Sequence, residues 1–188
     1  MKRKFGMLLA LICLSTVVFA KPPEFKLGLG GGAYFDAGVP MWEDAEGAAI
    51  GVGGYGFFDL TYAVFDVGIG YYRLSDAEVY GADLNFSLLA KYPFALGNMS
   101  LFPLLGVRFS IPLTQSYDGD SIDGFETKDN VHFGLQGGVG MDFPLGSALY
   151  LRASALCNFD FFAPGEDPGD DTLYSIGPMI KVGIGYKF

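Results

Sequence analysis

The chain has 188 residues, 28 of them glycine, with 16 % aromatics and a formal net charge of −9. Once an export signal is set aside, that length holds one domain and not two, and an acidic surface without a basic stripe excludes nucleic acid as a partner. Of the two cysteines, Cys13 falls inside the signal, so an intrachain disulfide is excluded although export would permit one.

The amino end reads Met1, Lys2, Arg3, Lys4, then an apolar run from Phe5 to Phe19, then Ala20 with Val18 two positions before it. This pattern predicts a cleavable signal peptide over residues 1–20 and a mature domain over 21–188. The run is shorter than a spanning helix needs, and Lys21, Pro22 and Pro23 follow it at once. Ile12 before Cys13 is not the small residue that a lipoprotein signal requires, so lipidation is not expected.

Beyond the signal, residues of alternating polarity recur in eight segments, at about 24–37, 48–59, 62–73, 79–92, 99–112, 130–143, 148–162 and 173–188. A side-chain period of two is the mark of a strand. Three connections are short, around Leu60 and Thr61, at Phe94 to Asn98 and at Pro144 to Ser147. Four are longer and acidic, at about 38–47, 74–78, 113–129 and 163–172. The pattern predicts an all-β fold: an eight-stranded antiparallel up-and-down transmembrane β-barrel, with short periplasmic turns and longer acidic extracellular loops.

One parity of these strands is apolar, as in Ile50, Val52 and Phe58, or Phe65, Val67, Ile69 and Tyr71. The other carries six cations, Lys26, Lys91, Arg108, Arg152, Lys181 and Lys187, and six anions, Asp36, Asp59, Asp66, Asp83, Asp142 and Asp160. A soluble lipocalin-like barrel would turn the apolar parity inward. Three features favour the membrane instead: strand lengths suited to crossing hydrocarbon, glycine crowded onto the charged parity, and aromatics near both strand ends. Tyr62, Tyr92, Phe143, Tyr186 and Phe188 mark one rim; Phe35, Tyr71, Tyr80, Phe109, Phe159, Phe161 and Tyr174 mark the other. Arg73, at a strand end beside Tyr71 and Tyr72, is placed to snorkel to headgroups.

Removing Lys2, Arg3 and Lys4 with the signal leaves nine basic against 21 acidic residues, a net of −12. The twelve inward charges sum to zero, so the deficit lies in the loops and at the amino end. A neutral inward set predicts an ion-paired, side-chain-filled lumen.

The candidates for chemistry are few. His132, the one histidine, lies on the inward parity with Ser110 on the preceding strand, where a hydrogen-bonded lumen group is expected and not a nucleophile's base. Phe133 follows it where the lipid A deacylase family continues a His-Tyr-Ser motif. Asp118, Asp120, Asp123 and Glu126 place oxygens at nearly alternate positions, but the third acid comes one residue late for an EF-hand, so solvated acidic loops are expected and no metal centre. Alternate glycines such as Gly28, Gly30 and Gly32 lie inside a strand with no helix after them, which excludes a phosphate loop. Cys157 sits on the apolar parity as a small hydrophobe. Met41 and Trp42 form a candidate contact patch in the first long loop. No cofactor is expected.

The final residues place Ile180, Val182, Ile184, Tyr186 and Phe188 on one parity and Lys181, Gly183, Gly185 and Lys187 on the other. With the strand count and the alternation of short and long connections, this ending resembles the small eight-stranded bacterial outer-membrane barrels: the OmpX type, the OmpA transmembrane domain and OmpW. The resemblance implies an integral protein of the outer membrane in contact with its lipids. It implies insertion by the barrel-assembly machinery after escort by periplasmic chaperones, with the Ile180 to Phe188 strand as the assembly signal. It also implies roles from structural support and adhesion to passage of small hydrophobic compounds. No peptidoglycan-binding domain follows the barrel as it does in full-length OmpA, so a tethering role is not expected. The expectation is a monomeric, non-enzymatic barrel in outer-membrane structure or surface interaction, its acidic loops meeting divalent cations or host and surface ligands. The alternatives are a narrow OmpW-like pore and, more distantly, a lipid-modifying enzyme.

Overall fold

The structure, a computed structural model, describes residues 26–41, 47–74, 79–117, 120–121, 131–162 and 174–188. The strands are β1 (Gly28–Pro40), β2 (Ala49–Asp59), β3 (Ala63–Leu74), β4 (Val79–Lys91), β5 (Phe94–Leu96), β6 (Met99–Tyr117), β7 (Asp120–Ser121), β8 (His132–Pro144), β9 (Leu149–Phe162) and β10 (Tyr174–Lys187). All pairings are antiparallel in the order β4-β3-β2-β1-β10-β9-β8-β6, and a further β4–β6 pairing closes the ring. Closure removes the unpaired strand edges that hydrocarbon could not satisfy.

Eight strand paths make the wall. β5 continues β4 in the same register, since Lys91 pairs with Leu104 and Phe94 with Leu101 across Pro93. Proline has no backbone N–H to give to the ladder, which accounts for the interruption. β6 runs to Tyr117, beyond the expected end near residue 112, and β7 folds back on its last residues. β1 begins at Gly28 and ends at Pro40, four residues later and three residues further than the alternation predicts. The signal, Trp42 and most of the long acidic loops lie outside the described residues.

The short turns are locally determined. Gly97 and Asn98 join Leu96 to its partner Met99, and Gly97 takes a φ of 62°, which suits glycine at the first central position of a tight hairpin. Thr61 adopts a φ of 71°, unusual for a β-branched residue. Its N–H donates to Asp59 Oδ1 at 2.9 Å, and its hydroxyl donates to the Lys26 carbonyl and accepts the Lys26 N–H, both at 2.7 Å. The turn is thereby clamped to the start of β1.

Cα partners traced round the ring from Gly30 pass through Phe57, Asp66, Ser87, Arg108, Gly134, Asp160 and Ser175 and return to β1 at Pro40. The stagger is therefore ten residues, which for eight strands corresponds to a tilt of about 40°.

The outer wall is apolar, with Ile69 57 % and Leu105 69 % exposed. Rings meet near both ends of it. Tyr62, Tyr92 and Phe94 adjoin at the short-turn end, as do Tyr186 and Phe188. Phe109, Phe133, Phe161, Phe159 and Tyr174 form a chain at the other end, and Tyr71 stacks on Tyr80. These are the two interfacial girdles expected from the sequence, bounding a hydrocarbon band of roughly 25 Å.

The core is the barrel's inside. Tyr34, Tyr55, Phe57, Phe102 and Tyr150 are buried there, each laid across bare backbone. Tyr34 lies over Gly53, Gly68 and Gly70, Phe57 over Gly30, Tyr55 over Gly183, Phe102 over Gly140, and Tyr150 over Gly28 and Gly185. A Cβ at Gly53 would stand 2.5 Å from Tyr34 Cζ. Inward glycine is thus the space that inward aromatic rings occupy.

Candidate functional site: the filled lumen

Inward charges fall into three tiers between the short-turn and long-loop ends. In the lower tier, Arg152 grips Asp142 with two parallel bonds, Nε to Oδ1 at 2.7 Å and Nη2 to Oδ2 at 2.8 Å, and also bonds Asp59. Lys91 donates to Asp59 Oδ2 at 2.6 Å. Asp59 therefore serves its turn with one oxygen and two cations with the other. Lys187, more exposed, lies 3.6 Å from Asp142 at the rim. The Arg152 guanidinium also faces the rings of Phe57, Phe102 and Tyr150 at 4.8, 5.1 and 5.2 Å, contacts that are favourable when desolvated.

The middle tier is a single pair. Lys181 Nζ donates to both oxygens of Asp66 at 3.0 Å, with the Tyr55 ring 5.5 Å away.

In the upper tier, three aspartates surround one cation. Arg108 lies 3.2 Å from Asp36, 3.5 Å from Asp160 and 3.9 Å from Asp83, and donates twice to Asn85 Oδ1. Asn85 in turn donates to the Tyr34 hydroxyl at 3.0 Å. Gln136 donates to Asn158 at 2.8 Å alongside.

The twelve expected charges therefore separate by place. Eleven line the interior or its rims, whereas Lys26 is exposed ahead of β1; the inward set without it has five cations and six anions. Charge also segregates along the axis, with one cation to three aspartates above and three cations to two aspartates below. The inward sum is therefore −1 and not the zero expected from the sequence, and the order of the charges was not legible there at all, because height depends on the ten-residue stagger.

Sequence reasoning also missed neutral fillers. Val64, Leu89, Leu104 and Leu156 are buried inside, at or above the level of Arg152. Parity is the signal that marks them, since Val64 shares its face with Asp66. These residues narrow the lumen to a space of about 20 Å³, bordered also by Tyr55, Arg152 and Lys181. That is room for roughly one water.

His132 and Ser110 are Cα partners on β8 and β6. Ser110 Oγ, however, donates to Asp83 at 3.0 Å. The hydroxyl is thus bonded directly to a carboxylate, whereas an activated nucleophile gives its proton to an imidazole that the acid orients. Cys157 is exposed on the outer wall. Asp118, Asp123 and Glu126 lie outside the described residues, as does the side chain of Asp120, and no metal-holding group of three ligands occurs among the described residues. Ile180, Val182, Ile184, Tyr186 and Phe188 all point outward and are exposed.

A closed eight-stranded antiparallel barrel, apolar outside, belted by aromatics and packed with ion pairs, defines an outer-membrane β-barrel protein. The chain belongs to the outer membrane protein beta-barrel domain family, which matches residues 6–188, and this places it in the outer membrane. Among solved structures it is similar to Neisserial surface protein A, at 14 % identity over 86 % of this chain and 97 % of that one, with a TM-score of 0.56. OprG from Pseudomonas aeruginosa matches at 15 % identity over 89 % of this chain and 98 % of that one, TM-score 0.46. Ail of Yersinia pestis matches at 17 % identity over 88 % and 100 %, TM-score 0.47. No curated protein matches the chain.

Proposed function

We propose that the protein is a non-enzymatic, non-conducting barrel that serves outer-membrane structure or surface interaction after its signal peptide is removed. The carrying observation is the double closure of the lumen: the Arg152, Asp59, Asp142 and Lys91 knot, and beside it the apolar belt around a space of one water's size. A hydrated ion needs a continuous polar path wider than that. The Ser110 to Asp83 bond supports the absence of a nucleophile. Purified protein in planar bilayers should leave the conductance at baseline. Steady unitary openings would instead establish the narrow-pore reading.

The outward row of β10 is the segment we assign to the assembly machinery, with periplasmic chaperones and membrane lipids as further partners and the monomer as the working unit. The acidic loops are the surface offered to divalent cations or host ligands. Calorimetry with calcium, in which no saturable heat appears, would remove the cation from that pair.

A further inference from the structure

Charge reaches the outer wall at one place. Of the charged side chains described on the strands, Arg73 alone lies on the outward parity, in line with Phe65, Ile69 and Tyr71 on β3, and it is exposed. The ion pairs among the described residues leave it out. Its guanidinium lies instead over the Tyr80 ring, with Cζ 5.3 Å from the centroid, and the Tyr71 ring stacks on Tyr80 at 6.3 Å. Tyr80 is the Cα partner of Arg73 and, on its other side, of Ser116, whose hydroxyl donates to the Tyr80 carbonyl at 3.4 Å. Tyr71 and Tyr80 belong to the girdle at the long-loop end. Arg73, one outward position beyond Tyr71, therefore stands where hydrocarbon gives way to headgroups.

We propose that Arg73, held on Tyr80, binds the phosphate of an outer-leaflet lipid headgroup. A cation on the lipid face is costly at mid-bilayer and tolerated at the interface, so its height suits a headgroup and not an acyl chain. The Tyr80 ring covers one face of the guanidinium and leaves its N–H edge to a further partner. That edge is a planar fork, which meets two phosphate oxygens at once. Held by the ring, the side chain also has less freedom to lose on binding. The described neighbours in its row are a ring and a hydroxyl, with no carboxylate to occupy the fork; Asp76 and Glu78 of the adjoining loop lie outside the described residues. The site deepens the assignment of membrane lipids as partners, and its failure would leave the closed barrel, tested by conductance, as it stands.

The full chain, refolded in detergent micelles, is titrated with diphosphorylated lipid A or with the same lipid stripped of phosphate, and the lipid retained per barrel is counted by native mass spectrometry. Heat-modifiable gel mobility checks that each variant is folded. The phosphorylated lipid should bind saturably and about tenfold more tightly than the stripped one. Arg73→Gln should remove that preference and leave the two lipids equal. Should Arg73→Gln not fold, Arg73→Lys carries the readout, since it keeps the charge, loses the fork and should show a smaller preference. Equal binding of both lipids by the unaltered chain would overturn the proposal. A preference that survives Arg73→Gln would do the same, because the guanidinium would then serve the loop acids Asp76 and Glu78 and the phosphate would bind elsewhere. A third overturning result is displacement of the lipid by an equal concentration of inorganic phosphate, which would make this a site for the free ion and not for a headgroup.

Discussion

At the scale of single residues, the interior depends on partners and not on charge as such. Lys181 and Asp66 form the simplest case, a buried pair with both carboxylate oxygens engaged by one ammonium. Lys181→Met strands the aspartate, and loss of one member of a buried pair costs about 3–5 kcal/mol. Removing the charge from both sides, Lys181→Met with Asp66→Leu, should recover most of that loss. Denaturant midpoints of the two single variants and the double one check this, and a double variant as unstable as their sum would contradict it. The glycine–ring contacts make a second prediction. A methyl at Gly53 would run into the Ile69 carbonyl oxygen as well as Tyr34 Cζ, so backbone and ring must both move and Gly53→Ala should cost about 3 kcal/mol through overpacking. Gly146, whose Cβ would meet nothing within 4 Å, is the matched control and should tolerate alanine with little change in midpoint.

At the scale of elements, β10 has two unlike faces. Phe188 is 72 % exposed, with the edge of Tyr186 beside its ring, so its side chain adds little to the folded barrel's packing, whereas Lys181 on the opposite parity holds the interior. Phe188→Ala should therefore slow insertion by the assembly machinery and leave the unfolding midpoint of protein refolded in detergent nearly unchanged; pulse-labelled membrane fractions and gel mobility measure the two separately. The strands themselves were largely legible, because a period of two with glycine on one parity and aromatics at the ends leaves few other folds. Less legible was the join at Pro93, which splits one strand path in two, and the prolongation of β6 to Tyr117. The polar run Thr114, Gln115, Ser116 lacks the alternation that marks a strand, and it is pairing with β4 that makes it one. Site geometry was legible only as membership: parity put Arg152, Asp59 and Asp142 on one face, but stagger decided that they meet each other and that Arg108 meets three other aspartates.

At the scale of the whole molecule, the axial segregation of charge gives the closed barrel a direction. If the lower closure is pruned by Arg152→Ala with Phe102→Ala, the remaining narrow path still passes Asp36, Asp83 and Asp160 around a single Arg108. The opened barrel should pass small cations in preference to anions, and the sign of the reversal potential across a salt gradient reads this directly. An anion-selective current would mean that the path avoids the upper tier. The tilt also matters to the outer wall, whose parity holds only while β4 and β6 keep step. They fall out of step once, where Ala82 pairs with Thr114 and Asp83 with Pro112, leaving Leu113 unmatched. Beyond that extra residue the faces of β6 exchange, so that Thr114 and Ser116 look outward and Gln115 inward. Leu113 thus works as a waterline: below it the strand shows the bilayer only grease, and above it the same strand is dressed for headgroups and the sea outside.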